Sequence, residues 1–193
     1  MVDVRLARSF ARRAYSVAAL PPRQTSAAAW RGSDLATDSS RWTWALSSDE
    51  IDAISNAADA AIAVEGWQSR LVSAPASESF PLPPSLEERL RILRRELTHG
   101  RGFELVRGLP LHEWSKLKAA AAFVGIGRHI GGLRSQNKEG HLLGSVADTG
   151  ADATDPHTRI YQTAVRQTFH ADSCDVVALA CLQTARTGGE SLL

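Results

Sequence analysis

The sequence predicts an α+β fold, because segments with helical periodicity come first along the chain and segments with strand character come later. The chain has 193 residues, enough for one domain with its own core. Hydrophobic residues make up 44% and charged residues 22%, which is typical of a globular protein and not of a disordered one.

The predicted helices begin at residues that commonly cap helices. One helix is predicted over residues 48–64, after a capping box in which Ser47 and Glu50 lie three apart. A second capping box, Ser85 with Glu88, precedes an apolar stripe that predicts a helix ending at 99–100. That stripe consists of Leu86, Leu90, Leu93 and Leu97. A third helix is predicted over residues 112–124, with an apolar side formed by Trp114, Leu117, Ala121 and Val124.

Four segments have the composition of strands. Residues 102–108 are predicted to form a short strand between glycines, and residues 142–146, 158–164 and 174–182 are further strand candidates. Tryptophans 30, 42 and 44 are interpreted as packing anchors of an N-terminal extension. The glycine-rich residues 125–132 do not have the spacing of a dinucleotide-binding loop and follow a helical segment, so we predict a helix end and a turn there.

The charge distribution excludes several classes of partner. The net charge of +1 provides no global attraction for nucleic acid or acidic membranes, and no apolar run is long enough to cross a bilayer. Residues 1–27 form a basic N-terminal segment with five arginines and one acid, Asp3. This composition is typical of a mitochondrial transit peptide, and the alternative is a solvated basic tail.

His170 and Asp172 are the residues most suited to metal chemistry. They lie two apart, and on an extended strand such residues point to the same face. An imidazole nitrogen and a carboxylate oxygen would then converge, as in the 2-His-1-carboxylate triad that binds iron(II) and leaves other coordination positions open. In isolation the pair has little specificity, because the chain contains six histidines.

Several motifs surround this pair in a fixed order. They are Tyr-x-Thr at 161–163, Phe-His-x-Asp at 169–172, Asp-Val-Val-x-Leu-x-Cys-Leu at 175–182 and Gly-Gly-Glu-Ser at 188–191. This order resembles the taurine dioxygenase (TauD/TfdA-like) family, especially its fungal branch. Upstream, residues 30–32, 102–103, 107–110, Gly131 and 136–137 also fit the family. The resemblance covers roughly residues 28–193, which would be the N-terminal part of the dioxygenase domain.

The resemblance implies a double-stranded β-helix, or jelly roll, of which this chain would hold a part behind its N-terminal helices. It also implies an enzyme that uses Fe(II) and couples the decarboxylation of 2-oxoglutarate to the hydroxylation of a small organic acid or sulfonate. His170 and Asp172 match the first two iron ligands of the family. Ser191 matches a hydroxyl residue that contacts 2-oxoglutarate, and Gln136 and Asn137 lie where the family approaches substrate or co-substrate.

The chain departs from the family pattern after these motifs. The family's second histidine ligand and its 2-oxoglutarate-binding arginine lie far beyond the HxD pair, whereas no histidine follows His170 here and Arg186 is too early. We therefore expect a C-terminally truncated domain, incomplete in its jelly roll, that binds iron weakly and turns over no 2-oxoglutarate. An unfinished sheet is also expected to self-associate through its open edges.

Two other interpretations remain beside the dioxygenase. The chain could be a non-catalytic remnant that acts as an interaction module. It could also be a thiol enzyme that uses Cys174 with His170, but four residues along a strand separate the two by roughly 13 Å. Cys174 is therefore interpreted as an ordinary buried thiol, and two unpaired cysteines are typical of a reducing compartment.

Overall fold

Helices and a small sheet surround one apolar core in the computed structural model, which describes residues 23–69, 74–170 and 172–188. The helices are α1 (Gly32–Ala36), α2 (Ser48–Ile62), α3 (Ala76–Ser79), α4 (Pro84–His99) and α5 (Lys116–Ile130). The strands are β1 (Thr43–Ala45) and β2 (Leu105–Arg107), and short 3-10 turns lie at Ser39–Arg41 and Ile160–Gln162. Helix α5 packs against both α2 and α4.

Helix α2 confirms the first predicted capping box. The Ser47 hydroxyl accepts a hydrogen bond from the Glu50 N–H at 3.3 Å, and the Glu50 carboxylate accepts one from the Ser47 N–H at 2.8 Å. The helix ends two residues before the predicted end, at Ile62. Its buried face is formed by Ile54, Ala57, Ala58 and Ala61.

Helix α4 confirms the leucine stripe but not the second capping box. Leu86, Leu90 and Leu93 are buried, and Leu97 packs against the core at its margin. The helix begins at Pro84 after Pro83, with no side-chain cap. Proline at the start of a helix has a suitable φ and no N–H that needs a partner, so the serine is not required there. The Glu88 carboxylate instead accepts hydrogen bonds from Arg91.

Helix α5 begins and ends later than predicted. The Ser115 hydroxyl caps it by accepting a hydrogen bond from the Lys118 N–H at 3.2 Å. The helix continues through the glycine-rich segment to Ile130, where the Gly131 N–H donates to the Gly127 carbonyl at 2.9 Å. The prediction for Leu117 was wrong, because its side chain is 49% exposed. Ala121 and Val124 are buried as predicted.

The two strands pair in parallel, with Thr43 opposite Leu105. The predicted strand at 102–108 is confirmed over a shorter length, whereas its partner β1 was not predicted. The tryptophans anchor this region, since Trp44 is buried in the core and Trp30 packs edge-on against Phe103 at 5.1 Å between ring centroids. Trp67 and Trp114 lie at the margin of the same core.

The predictions of strands at 142–146, 158–164 and 174–182 were wrong for the described residues. These segments form turns, bends and irregular chain, with the 3-10 turn Ile160–Gln162 inside the second. A strand needs a neighbouring strand for its backbone hydrogen bonds. Here only scattered bonds join the segments, such as Ala147 N–H to the Tyr161 carbonyl at 3.1 Å. The described residues therefore do not show the predicted partial jelly roll.

Candidate metal centre

His170 lies on an irregular part of the chain and is exposed to solvent. Its Nδ1 lies 2.8 Å from the Thr168 carbonyl oxygen, and its Nε2 lies 3.2 Å from the Gln167 side-chain nitrogen. A carbonyl oxygen only accepts hydrogen bonds, so Nδ1 carries the proton, and the Nε2 lone pair accepts a hydrogen bond from the Gln167 side-chain N–H, which a metal ion would have to displace. In this tautomer Nε2 is the nitrogen that can bind a metal ion.

Asp172 is also exposed, and neither it nor His170 belongs to a strand. The intervening Ala171 lies outside the described residues, and bends follow at 173–175. The expectation that His170 and Asp172 lie on an extended strand was wrong, because among the described residues no strand pairs with the chain on either side of position 171. Strand geometry therefore does not support the convergence of the two side chains. The interpretation of the pair as metal ligands depends instead on the motifs that surround it in the sequence.

The described residues supply too few donors for a complete iron site. An imidazole and a carboxylate are donors of the type that iron(II) accepts from proteins. In residues 23–69, 74–170 and 172–188, however, no three His, Cys, Asp or Glu side chains are grouped closely enough to hold a metal ion. The chemistry of the donors fits the metal, whereas their number does not.

The other histidines are engaged elsewhere. His129 Nε2 lies 2.9 Å from the Phe80 carbonyl oxygen, and His141 Nδ1 lies 2.8 Å from the Asn137 side-chain nitrogen. His99 contacts the Thr98 hydroxyl, and His112 lies beside Glu113. His157 is exposed. Within the described ranges, none of these five histidines belongs to a group of three His, Cys, Asp or Glu side chains that could hold a metal ion.

Gln136 and Asn137 lie in an exposed loop that follows α5, and their side chains bond within that loop. The Gln136 side-chain nitrogen donates to the Arg134 carbonyl at 3.0 Å. The Asn137 side-chain oxygen accepts from the His141 N–H at 3.0 Å, so both polar atoms of its amide contact His141. The loop therefore closes on itself and leaves these amides engaged.

Two predicted features lie outside the described residues. Ser191, assigned to 2-oxoglutarate, is one of them, and the other is residues 1–22 of the basic N-terminal segment. No helix in the described ranges combines the length and apolarity needed to cross a membrane.

The interpretation of Cys174 as a buried thiol was wrong. Both Cys174 and Cys181 are exposed and unpaired. The Cys174 thiol donates a weak hydrogen bond to the Val176 carbonyl at 3.5 Å. The described residues around Cys174 belong to no sheet, so no packed face is formed there that would bury the thiol.

Two residues near the HxD pair were missed in the sequence, Gln167 and Arg134. Gln167 contacts His170 as described above, and the Arg134 guanidinium donates to the Ser173 carbonyl. Neither residue belongs to a recognisable motif, because their contacts depend on the path of irregular chain. The only available signal was the position of Gln167, three residues before His170.

The family assignment follows from comparison with known proteins. The family described as "Taurine catabolism dioxygenase TauD, TfdA family" matches residues 68–193, more than half of the chain. The chain belongs to the TauD, TfdA family. This confirms the resemblance inferred from the motifs and identifies an oxygenase family, whose match includes both His170 and Asp172.

Two relatives of this TauD-family chain are similar over part of their length. FR-33289 synthase of Streptomyces rubellomurinus is 29% identical over 157 residues, which are 79% of this chain and 44% of that protein. The taurine hydroxylase-like protein SAT17 of Stachybotrys chartarum is 31% identical over 123 residues, which are 60% of this chain and 32% of that protein. The chain thus spans less than half the length of either relative.

Proposed function

We propose that this chain contributes the first two metal ligands, His170 and Asp172, to an Fe(II)- and 2-oxoglutarate-dependent dioxygenase that hydroxylates a small organic acid or sulfonate. The observation that carries the proposal is the position of this pair inside the family match over residues 68–193. The hydrogen bond between His170 Nδ1 and the Thr168 carbonyl supports it, because it leaves Nε2 unprotonated.

Each residue has a separate task in this proposal. His170 would donate its Nε2 lone pair and Asp172 a carboxylate oxygen, while Thr168 holds the imidazole tautomer. Ser191, Gln136 and Asn137 would bind 2-oxoglutarate or substrate, and Asn137 would have to exchange its contacts with His141 for contacts with the ligand. The bound iron and 2-oxoglutarate would supply the oxidising chemistry.

The proposed centre needs a third protein ligand from outside the described residues, because these provide two donors. Two donors rarely hold a labile divalent ion firmly, so residues 1–193 alone are expected to bind metal weakly and to release no succinate from 2-oxoglutarate. A mitochondrial location, from the basic residues 1–27, stays a prediction.

Cobalt(II) titration followed by calorimetry tests the proposal on the 193-residue chain. We expect His170→Ala and Asp172→Ala each to weaken binding by more than the roughly 10-fold that loss of an outer-shell partner costs. His157→Ala, which removes another exposed histidine, is the matched control and should leave binding unchanged. Equal cobalt affinity in all four proteins would contradict the assignment of the ligands.

A second function is favoured by one observation. Large apolar side chains are exposed beyond α5, notably Phe169 at 74% and Leu179 at 77%. Exposed apolar side chains of this size can form surfaces that associate with other proteins. A non-catalytic interaction module would show this association with no cobalt binding at all, whereas the dioxygenase proposal requires binding that depends on His170 and Asp172.

A further inference from the structure

The loop that follows α5 has a fixed attachment to the helical core. Leu133 packs against the core, and its side chain lies close to Gly127. Farther along, the Gln136 N–H donates to the His141 carbonyl at 2.7 Å, and Asn137 contacts His141 through both polar atoms of its amide. Residues 133–141 therefore form a closed loop held at one end by the core.

Arg134 connects this loop to the segment that carries the HxD pair. Its guanidinium donates a hydrogen bond to the carbonyl oxygen of Ser173, the residue directly after Asp172. In the described residues from 165 to 188, the other hydrogen bonds join residues within three positions of each other. The Arg134 contact spans 39 positions and is therefore the long-range hydrogen bond of this segment.

We propose that Arg134 is a positioning residue that holds the segment bearing His170 and Asp172 against the loop bearing Gln136 and Asn137. The contact would matter for activity only if the proposed function holds, because it would then bring the predicted metal ligands and the predicted co-substrate residues to one side of the molecule. This inference therefore rests on the proposed function. Its structural content, the connection itself, is independent of iron.

A guanidinium is suited to this role. It carries a permanent charge and several N–H groups, so its hydrogen bond to a carbonyl is stronger than one between neutral groups. The Ser173 carbonyl is one peptide unit away from Asp172, so fixing it restricts where the Asp172 carboxylate can lie. Without this contact the segment would be free to move on its flanking irregular chain.

Thiol cross-linking tests the connection with a cysteine that the chain already contains. Cys174 is exposed, and Gly132 can accept a cysteine because an added Cβ meets nothing within 4 Å. We would combine Gly132→Cys with Cys181→Ser and treat the protein with a short bismaleimide. With Arg134 present, a cross-link between positions 132 and 174 is expected, measured by mass spectrometry of the proteolysed product.

Replacement of Arg134 gives the decisive comparison. Arg134→Ala should lower the initial rate of cross-link formation about fivefold, the effect of losing a hydrogen bond of typical net strength. Arg134→Lys should lower the rate of cross-link formation less than Arg134→Ala does. The matched control is Arg166→Ala, which removes an exposed arginine that has no hydrogen bond or ion pair within the described residues. A rate unaffected by Arg134→Ala would overturn the proposal.

Cobalt(II) affinity separates this inference from the proposed function. Weaker cobalt binding in Arg134→Ala, with partial recovery in Arg134→Lys, would support positioning of the ligands. Cobalt binding as strong as in the unmodified chain would overturn it, even if the cross-link were slower. If the unmodified chain bound no cobalt while the cross-link still depended on Arg134, the proposed function would fail and the connection would stand.

Discussion

Gly125 illustrates how a single residue determines the packing of the core. A Cβ at this position would lie 2.3 Å from Cδ2 of Phe80, a ring that is completely buried. The glycine therefore allows α5 to approach the Phe80 ring directly. In the sequence, the glycines at 125 and 127 indicated the end of a helix, because glycine lowers helix propensity. The packing against Phe80 outweighs that preference, and the sequence alone carries no sign of it.

Gly125→Ala is expected to destabilise the protein by about 1–3 kcal/mol, because the methyl group overpacks the core against Phe80. Gly127→Ala is the matched control on the same helix. Its Cβ would lie 3.2 Å from the Cδ2 atom of Leu133, at the movable end of a side chain. That change should alter stability by no more than about 1 kcal/mol, since alanine also favours the helix. Urea unfolding measures both, and equal effects would contradict this account.

At the scale of elements, Glu50 joins the beginning of α2 to α4. Its carboxylate accepts one hydrogen bond from the Ser47 N–H and another from Arg89 at 2.6 Å. The Arg89 guanidinium also lies 4.2 Å from the centroid of the Trp44 ring. Burial alone raises the pKa of Glu50, but the Ser47 N–H and the Arg89 charge more than offset it. The pKa of Glu50 therefore lies below its usual value of 4.5.

Glu50→Gln keeps the capping geometry and removes the charge, so it weakens the pairing with Arg89 and the charge-assisted hydrogen bond from the Ser47 N–H. The lowered pKa means that the charged form stabilises the fold above pH 4.5, and that this contribution is lost as the pH falls through the lower folded-state pKa. We expect a loss of about 0.5 kcal/mol at pH 7, because Arg89 is partly exposed.

The difference between wild type and Glu50→Gln should disappear in acid and shrink in high salt. Urea unfolding between pH 3 and 7 measures it. Asp52→Asn is the control, since Asp52 is exposed on the same helix and has no ion pair within the described residues. A difference that grew as the pH fell would contradict the assignment.

The elements differ in how far the sequence could predict them. The Ser47 capping box and the leucine stripe of α4 were predictable, because both depend on residues within one helix. Strand β1 was not, since the strand with which it pairs, β2, lies far along the chain and its three residues carry little periodicity. The predictions of strands beyond α5 were wrong for the same reason. A β-branched composition favours an extended backbone but does not provide the neighbouring strand that its hydrogen bonds require.

The whole molecule consists of a helical part with a buried core and a following part with little burial. Among the residues that the structure describes, the buried apolar side chains all lie at or before Val124, whereas Phe169, Val177 and Leu179 in the second part are exposed. The family could be predicted from motif order, because motifs are local. The same motifs led to His170 and Asp172 as metal ligands, which stays a prediction. The placement of these two side chains could not be predicted, because the described residues provide no sheet to fix it.

This exposure predicts self-association of the 193-residue chain at high concentration. We expect the weight-average mass in sedimentation velocity to rise with concentration, and Val177→Ser with Leu179→Ser to reduce that rise. Ile92→Ser on α4 removes a side chain with 53% exposure outside this region and serves as the control. A chain that stays monomeric, or one in which Ile92→Ser has the same effect, would disprove association through the second part.

The placement of the tryptophans has a consequence for spectroscopy. All five lie at or before position 114; Trp44, Trp67 and Trp114 lie in or against the helical core, and Trp30 and Trp42 pack against Phe103. Tryptophan fluorescence during denaturation would thus report the unfolding of that core. It would not report changes in the segment that contains His170 and Asp172. A cooperative fluorescence transition would say nothing about order around the proposed metal ligands, for which a dye on Cys174 is the appropriate optical reporter.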